Sequence, residues 1–168
     1  MEIKALNAMA TAHHSACEKG ELFIGEKIPE ISLTNIINYH KETATPCELR
    51  GNNNKLLLLQ FWFGTCSLCK EQWEKLAFLQ KQWESRLQIV LVTTEPAHIA
   101  RSFINEWCQK NGKMELPVVT ADRFLHESFG QLYNPHYVWI APDGRVLAET
   151  DSSFVSAEQI SALLHHLD

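Results

Sequence analysis

The chain has 168 residues, 45% of them hydrophobic and 21% charged, which fits one soluble domain with a sizeable core. A formal net charge of -5 with no basic cluster argues against a general nucleic-acid binder. Five cysteines are too few, and odd in number, for a disulfide scaffold. No run approaches the ~20 apolar residues of a membrane span.

Residues 1–20, MEIKALNAMATAHHSACEKG, are polar and Ala-rich, with modest helical spacing at Ile3, Leu6 and Met9. They read as an N-terminal extension ahead of a domain at 21–168. The stretch lacks the apolar core of a secretory signal. Cys17 follows His13, His14 and Ser15, which argues against an intact lipoprotein signal. A chain without its leader would read the same way.

From Phe23 the pattern changes. Ile31, Leu33 and Ile36 suggest short strands, and residues 38–54 read as a loop that closes on the turn sequence GNNN at 51–54. The run KLLLLQFW at 55–62 predicts a strand buried on both faces, as in the middle of an α/β sheet. Gly64 and Thr65 break it. Cys69, Trp73, Leu76, Leu79 and Trp83 then recur at spacings of four and three, which predicts one long helix.

A second buried strand is predicted at 87–93, and a helix at 97–110 that ends at Asn111-Gly112. A short strand at 116–119 and one or two helical turns within 122–130 follow. Strands at 136–140 and 145–150 flank the hairpin signal Pro142-Asp143-Gly144. Ile160, Leu163, Leu164 and Leu167 predict a last helix over 156–167. The order β–α–β–α–β, a short helix, then β–β–α implies a mixed sheet.

Cys66 and Cys69 lie where the central strand hands over to a helix. Unpaired amides and the helix dipole stabilise a thiolate at such a start, so Cys66 is the expected nucleophile and Cys69, one turn inside, the resolving thiol. Lys70 is expected to point to solvent. A structural thiol pair and a zinc knuckle are the competing readings. Zinc needs two further ligands at suitable spacing, whereas His13-His14 and His165-His166 are adjacent pairs that suit a solvated surface. No metal site and no cofactor beyond the cysteine pair is expected. Cys17, Cys47 and Cys108 have no near partner in sequence and read as incidental or packed thiols, with an auxiliary redox role as the alternative for Cys47.

These residues resemble the thioredoxin superfamily, and within it the TlpA/ResA-like thiol–disulfide oxidoreductases of Bacteroidota envelopes. The resemblance spans roughly 25–168. It rests on IGEKIP at 24–29, the strand ending Phe61-Trp62, GTCSLCK at 64–70, Leu116-Pro117-Val118 ahead of Asp122, FGQLYNP at 129–135 leading into HYVWI at 136–140, and PDGRV at 142–146. It implies an α/β, thioredoxin-like fold: a mixed central sheet with helices on both faces. It also implies disulfide exchange with protein partners and an upstream redox partner, reductive or isomerising in direction. A monomer in the periplasm or cell envelope is expected, with a cytoplasmic location as the alternative.

By the same resemblance Pro135 is the cis-proline facing the cysteines, and Asn134 exposes backbone to an extended substrate. Trp62 and Thr65 are expected to contribute to substrate binding, although all five tryptophans also read as core or groove packing. Several positions depart from the family pattern. Gln60 stands where a buried carboxylate is common, six residues before the first Cys, and Gln72 where reductive members often carry Glu. An amide cannot act as a general base near pH 7. Glu71 and Glu74 are offset from the apolar face and read as solvated. The helix proline of the family is replaced by Glu74, and its tryptophan before the first Cys by Thr65. His136 is therefore the candidate for handling the Cys69 proton.

Two other functions compete with disulfide exchange. Thiol peroxidase chemistry would need a PxxxTxxC context, which Thr65 immediately before Cys66 does not supply. Copper binding or chaperoning would recruit Cys66, Cys69 and His136 as ligands.

Overall fold

A computed structural model describes residues 20–52, 54–130 and 133–167. The extension at 1–19, with Cys17 and the pair His13-His14, lies outside the described residues.

Six strands form one sheet in the order β1-β4-β3-β2-β5-β6: β1 (Ile36–Ile37), β2 (Leu56–Phe61), β3 (Leu87–Val92), β4 (Val118–Val119), β5 (His136–Ile140) and β6 (Val146–Thr150). β2, β3 and β4 run parallel, while β5 lies antiparallel to β2, β6 to β5 and β1 to β4, so the sheet is mixed as expected. β2 is central and every one of its residues is buried, because both of its faces are covered.

Alternation along β2 sorts the core into two halves. Leu56 and Leu58 face one half with Leu87, Ile89, Leu91, Tyr137 and Trp139, under helices α3 (Trp73–Gln82), α4 (Ala97–Asn111) and α6 (Ala157–His166). Leu57, Leu59 and Phe61 face the other half with Val90, Val92, Val138 and Ile140, under α1 (Pro46–Leu49) and α5 (Phe124–Ser128). Helices thus cover both faces.

Two elements differ from the sequence expectation. Within the loop-like 38–54, Thr45 and Glu48 form a reciprocal capping box around Pro46, and α1 results. The single helix expected after Thr65 is two: α2 (Ser67–Glu71) ends at Gln72, which also starts α3. Side chains make that break. The Cys69 carbonyl accepts from the Gln72 amide and from Gln60 Nε2, both at 3.2 Å, and the Lys70 carbonyl accepts from Trp107 Nε1 at 3.1 Å. Side-chain donors inserted at these carbonyls accompany the break in the regular ladder. The interruption therefore forms here without a proline.

Candidate active site

Cys66 and Cys69 are joined by a disulfide, with Cα atoms 5.3 Å apart. The pair sits on the α3–α4–α6 side of the sheet, directly beyond the end of β2. Cys66 is the N-cap of α2, and its sulfur accepts the Cys69 backbone N–H at 3.2 Å. When the disulfide opens, the same amide is placed to stabilise a Cys66 thiolate. Cys66 is 8% exposed and Cys69 fully buried, so Cys66 is the outer and Cys69 the inner sulfur of the pair.

A buried polar network lies beneath the pair. Gln60, the one amide of β2, faces the same half of the core as the cysteines and makes three hydrogen bonds. Its Nε2 donates to the Cys69 carbonyl at 3.2 Å and to the Tyr137 hydroxyl at 2.8 Å, and its Oε1 accepts from Trp73 Nε1 at 2.9 Å. Burial pushes the Tyr137 phenol up, only partly offset by the Gln60 hydrogen bond, so it is neutral across the physiological range. Sequence reasoning placed Gln60 correctly but missed Tyr137, whose position two residues beyond Pro135 was the available signal.

The Asn134-Pro135 bond is cis, and Pro135 is buried. Asn134 is half-buried, and its Oδ1 finds no donor among the described residues. Thr65 is exposed next to Cys66.

Two expected site residues lie elsewhere. Trp62 is 1% exposed, with its ring set edge-on against Trp73 at 4.9 Å, so it is part of the core beneath the site and offers no surface for substrate contact. His136 pairs in register with Phe61, so its side chain shares the opposite face of the sheet with Val138 and Ile140. There His136 Nε2 meets the Glu149 carboxylate at 3.0 Å, and its ring lies against Phe61 and Tyr133. Strand alternation that brings Tyr137 to the cysteines turns His136 away, which removes it as the acceptor of the Cys69 proton. It also removes the third ligand of the copper reading. No group of three His, Cys, Asp or Glu side chains among the described residues is arranged to hold a metal ion.

Of the remaining sequence candidates, Gln72 is half-buried, and Glu71 and Glu74 are exposed. Cys47 sits on α1, across the sheet from the disulfide, with its backbone N–H on Glu30 at 2.6 Å; Cys108 is half-buried on α4. Lys70 does not point to solvent. It is half-buried, with Nζ donating to the Gly64 carbonyl at 2.8 Å and lying 5.2 Å from the centre of the Phe103 ring.

No family model matches the sequence, and no curated protein matches it. Solved structures do. The thioredoxin domain of a thiol-disulfide oxidoreductase from Bacteroides vulgatus is similar at TM-score 0.64 and 17% identity, over 88% of this chain and all of that one. A candidate thiol:disulfide interchange protein DsbE from Chlorobium tepidum is similar at TM-score 0.69 and 19% identity, over 86% of this chain and 99% of that one. The PrxQ C47S mutant of Xylella fastidiosa is similar at TM-score 0.63 and 16% identity, over 88% of this chain and 96% of that one. At such identities a likeness speaks for architecture, and it agrees with the sheet order, the cysteine pair at the strand-to-helix junction and the cis-proline: the chain has the thioredoxin-like fold.

Proposed function

We propose that the chain is a thiol–disulfide oxidoreductase acting on protein partners through Cys66 and Cys69. The observation that carries this is the disulfide itself, bridging an N-cap sulfur to a buried one at the end of the central strand. In the reduced chain the Cys66 thiolate attacks a partner disulfide, forming a Cys66–partner bond and expelling one partner thiolate. Cys69, as its thiolate, then attacks the Cys66 sulfur, re-forms the 66–69 bond and releases the second partner sulfur. Two electrons pass to the partner, and the protons of the two thiols end on the partner's thiols. No cofactor is needed beyond the pair.

Gln60, Tyr137 and Trp73 are uncharged groups linked by hydrogen bonds to one another and, through Gln60, to the Cys69 carbonyl. They do not take the Cys69 thiol proton near neutral pH, and the departing partner thiolate is the natural acceptor. Thr65, exposed next to Cys66, and Asn134, whose Oδ1 has no donor among the described residues, would supply contacts to the partner's extended segment. The likenesses to a Bacteroides thiol-disulfide oxidoreductase and to a DsbE-type interchange protein support the exchange chemistry; a reductive or isomerising role in a cell envelope, as a monomer re-charged by an upstream redox partner, completes the proposal. No described helix is long and apolar enough to cross a membrane. Peroxide reduction is the second reading, supported by the likeness to PrxQ.

Insulin reduction under a dithiol donor tests the proposal. The intact chain should accelerate precipitation of the insulin B chain, and Cys66→Ser and Cys69→Ser should each lose that activity. Full activity in both variants would sink it, and peroxide consumption without insulin reduction would favour the second reading.

A further inference from the structure

We propose that Lys70 is a positioning residue for Cys66: its ammonium ties the Gly64 carbonyl to α2, holds the turn at 63–66 that presents the attacking sulfur, and sets a positive charge beside it. The inference rests on Cys66 being the attacking thiol.

Four contacts converge on this turn. The Cys66 amide closes it onto the Phe63 carbonyl at 2.9 Å. Lys70 Nζ donates to the Gly64 carbonyl at 2.8 Å, and the Gly64 amide donates to Glu95 Oε1 at 3.3 Å, so both sides of Gly64 are held by charged groups. The Phe103 ring of α4 packs so closely on Gly64 that an added Cβ would fall 1.9 Å from it. The Lys70 ammonium rests on that same ring, at 5.2 Å, and the Lys70 carbonyl accepts from Trp107 Nε1. Lys70 is therefore locked at both ends, with its backbone on α4 and its charge on the loop.

This arrangement goes beyond what a solvated lysine would do. A lysine free in water pays side-chain entropy for any contact and contributes little. Here the aliphatic stem is half-buried and the ammonium has a fixed acceptor. Gly64 lies two residues from Cys66, so the charge sits within roughly 10 Å of the sulfur, about one Debye length at physiological salt. Among the described residues, Glu95 faces Gly64 from the segment after β3, and Glu71 is exposed on α2. Glu95 opposes the Lys70 field; the ammonium is held on the Gly64 carbonyl, which leads into Thr65 and Cys66, and the carboxylate on the Gly64 amide, which faces back toward Phe63.

The test is to titrate the Cys66 thiolate by its ultraviolet absorbance in the reduced chain and to measure insulin reduction, for the intact protein and for Lys70→Met, Lys70→Gln and Lys70→Arg. Met removes both the hydrogen bond and the charge, Gln keeps a donor without the charge, and Arg keeps both. Met should raise the Cys66 midpoint by about half to one pH unit and slow reduction at neutral pH about three- to tenfold. Gln should raise the midpoint with a smaller loss of rate, and Arg should retain most of both. An unchanged midpoint in Met and Gln overturns the proposal, even if stability falls, as does Arg behaving like Met. If Met does not fold, the Gln and Arg pair decides. An intact chain that never reduces insulin, yet whose Cys66 midpoint responds to Lys70, would refute the disulfide-exchange reading and leave this inference standing.

Discussion

Gln60 is a fully buried amide that links the β2 strand to the elements around the disulfide. It satisfies Trp73, Tyr137 and the Cys69 carbonyl at once, with nothing of it exposed. Replacing it by Leu would strip the Trp73 Nε1 donor and the Tyr137 hydroxyl of their buried partner, and a buried polar group left unmade costs more than an ordinary hydrogen bond gains. Gln60→Leu should therefore lose about 2–4 kcal/mol of stability in urea denaturation of the oxidised chain. A loss below about 0.5 kcal/mol would show that the network is not holding the site together. Gln60→Glu separates chemistry from packing. Among the described residues no acid belongs to the buried network beneath Cys69, so the exchange rate should follow the Cys66 ionisation alone, and Gln60→Glu should add a second ionisation to the pH–rate profile. A second ionisation already present in the intact chain would contradict a neutral network.

Gly64, Phe103 and Trp107 govern the elements that carry the cysteines. Gly64→Ala drives a Cβ into the Phe103 ring, so the turn at 63–66 or α4 must shift. Reactive groups displaced by about 1 Å lose on the order of a hundredfold in rate, so a loss between tenfold and a hundredfold in insulin reduction is expected. Phe103→Ala in the same chain should restore part of it. If the double variant is as slow as Gly64→Ala alone, the ring is not the obstacle. The strands and most helices here were legible from periodicity, because burial on two faces or one stripe writes directly into residue spacing: KLLLLQFW holds β2, and Ile160 and Leu164 of the expected last helix are buried on α6. The break at Gln72 was not legible. It depends on Gln60 and Trp107, which reach the α2 carbonyls from 12 residues before and 35 residues after Gln72, and no local pattern records such contacts. The cysteine pair and Pro135 were legible for the opposite reason, being motif positions. The fate of His136 was hidden in strand register, where one residue decides the face.

The whole molecule places its chemistry on one side of the sheet and a buried histidine, His136, paired with Glu149 on the other. Burial holds the His136 imidazole below its ordinary pKa, although the Glu149 carboxylate pulls it back up. The unfolded chain takes up this proton as pH falls through about 6.5, while the folded chain resists until lower pH. Stability from this group is thus complete above about 6.5 and declines as pH drops toward the folded value. His136→Gln should flatten the acid side of the plot of Tm against pH while leaving insulin reduction near that of the intact chain. Superimposable plots would mean that His136 is not the group involved, and a large loss of activity would return it to the site. The most direct test of the disulfide chemistry is to trap its intermediate. Reduced Cys69→Ser protein should accumulate a mixed disulfide with insulin at Cys66, visible by mass spectrometry, whereas Cys66→Ser should trap far less because Cys69 is buried. Equal trapping at both cysteines, or none at Cys66, would contradict the assignment of Cys66 as the attacking thiol.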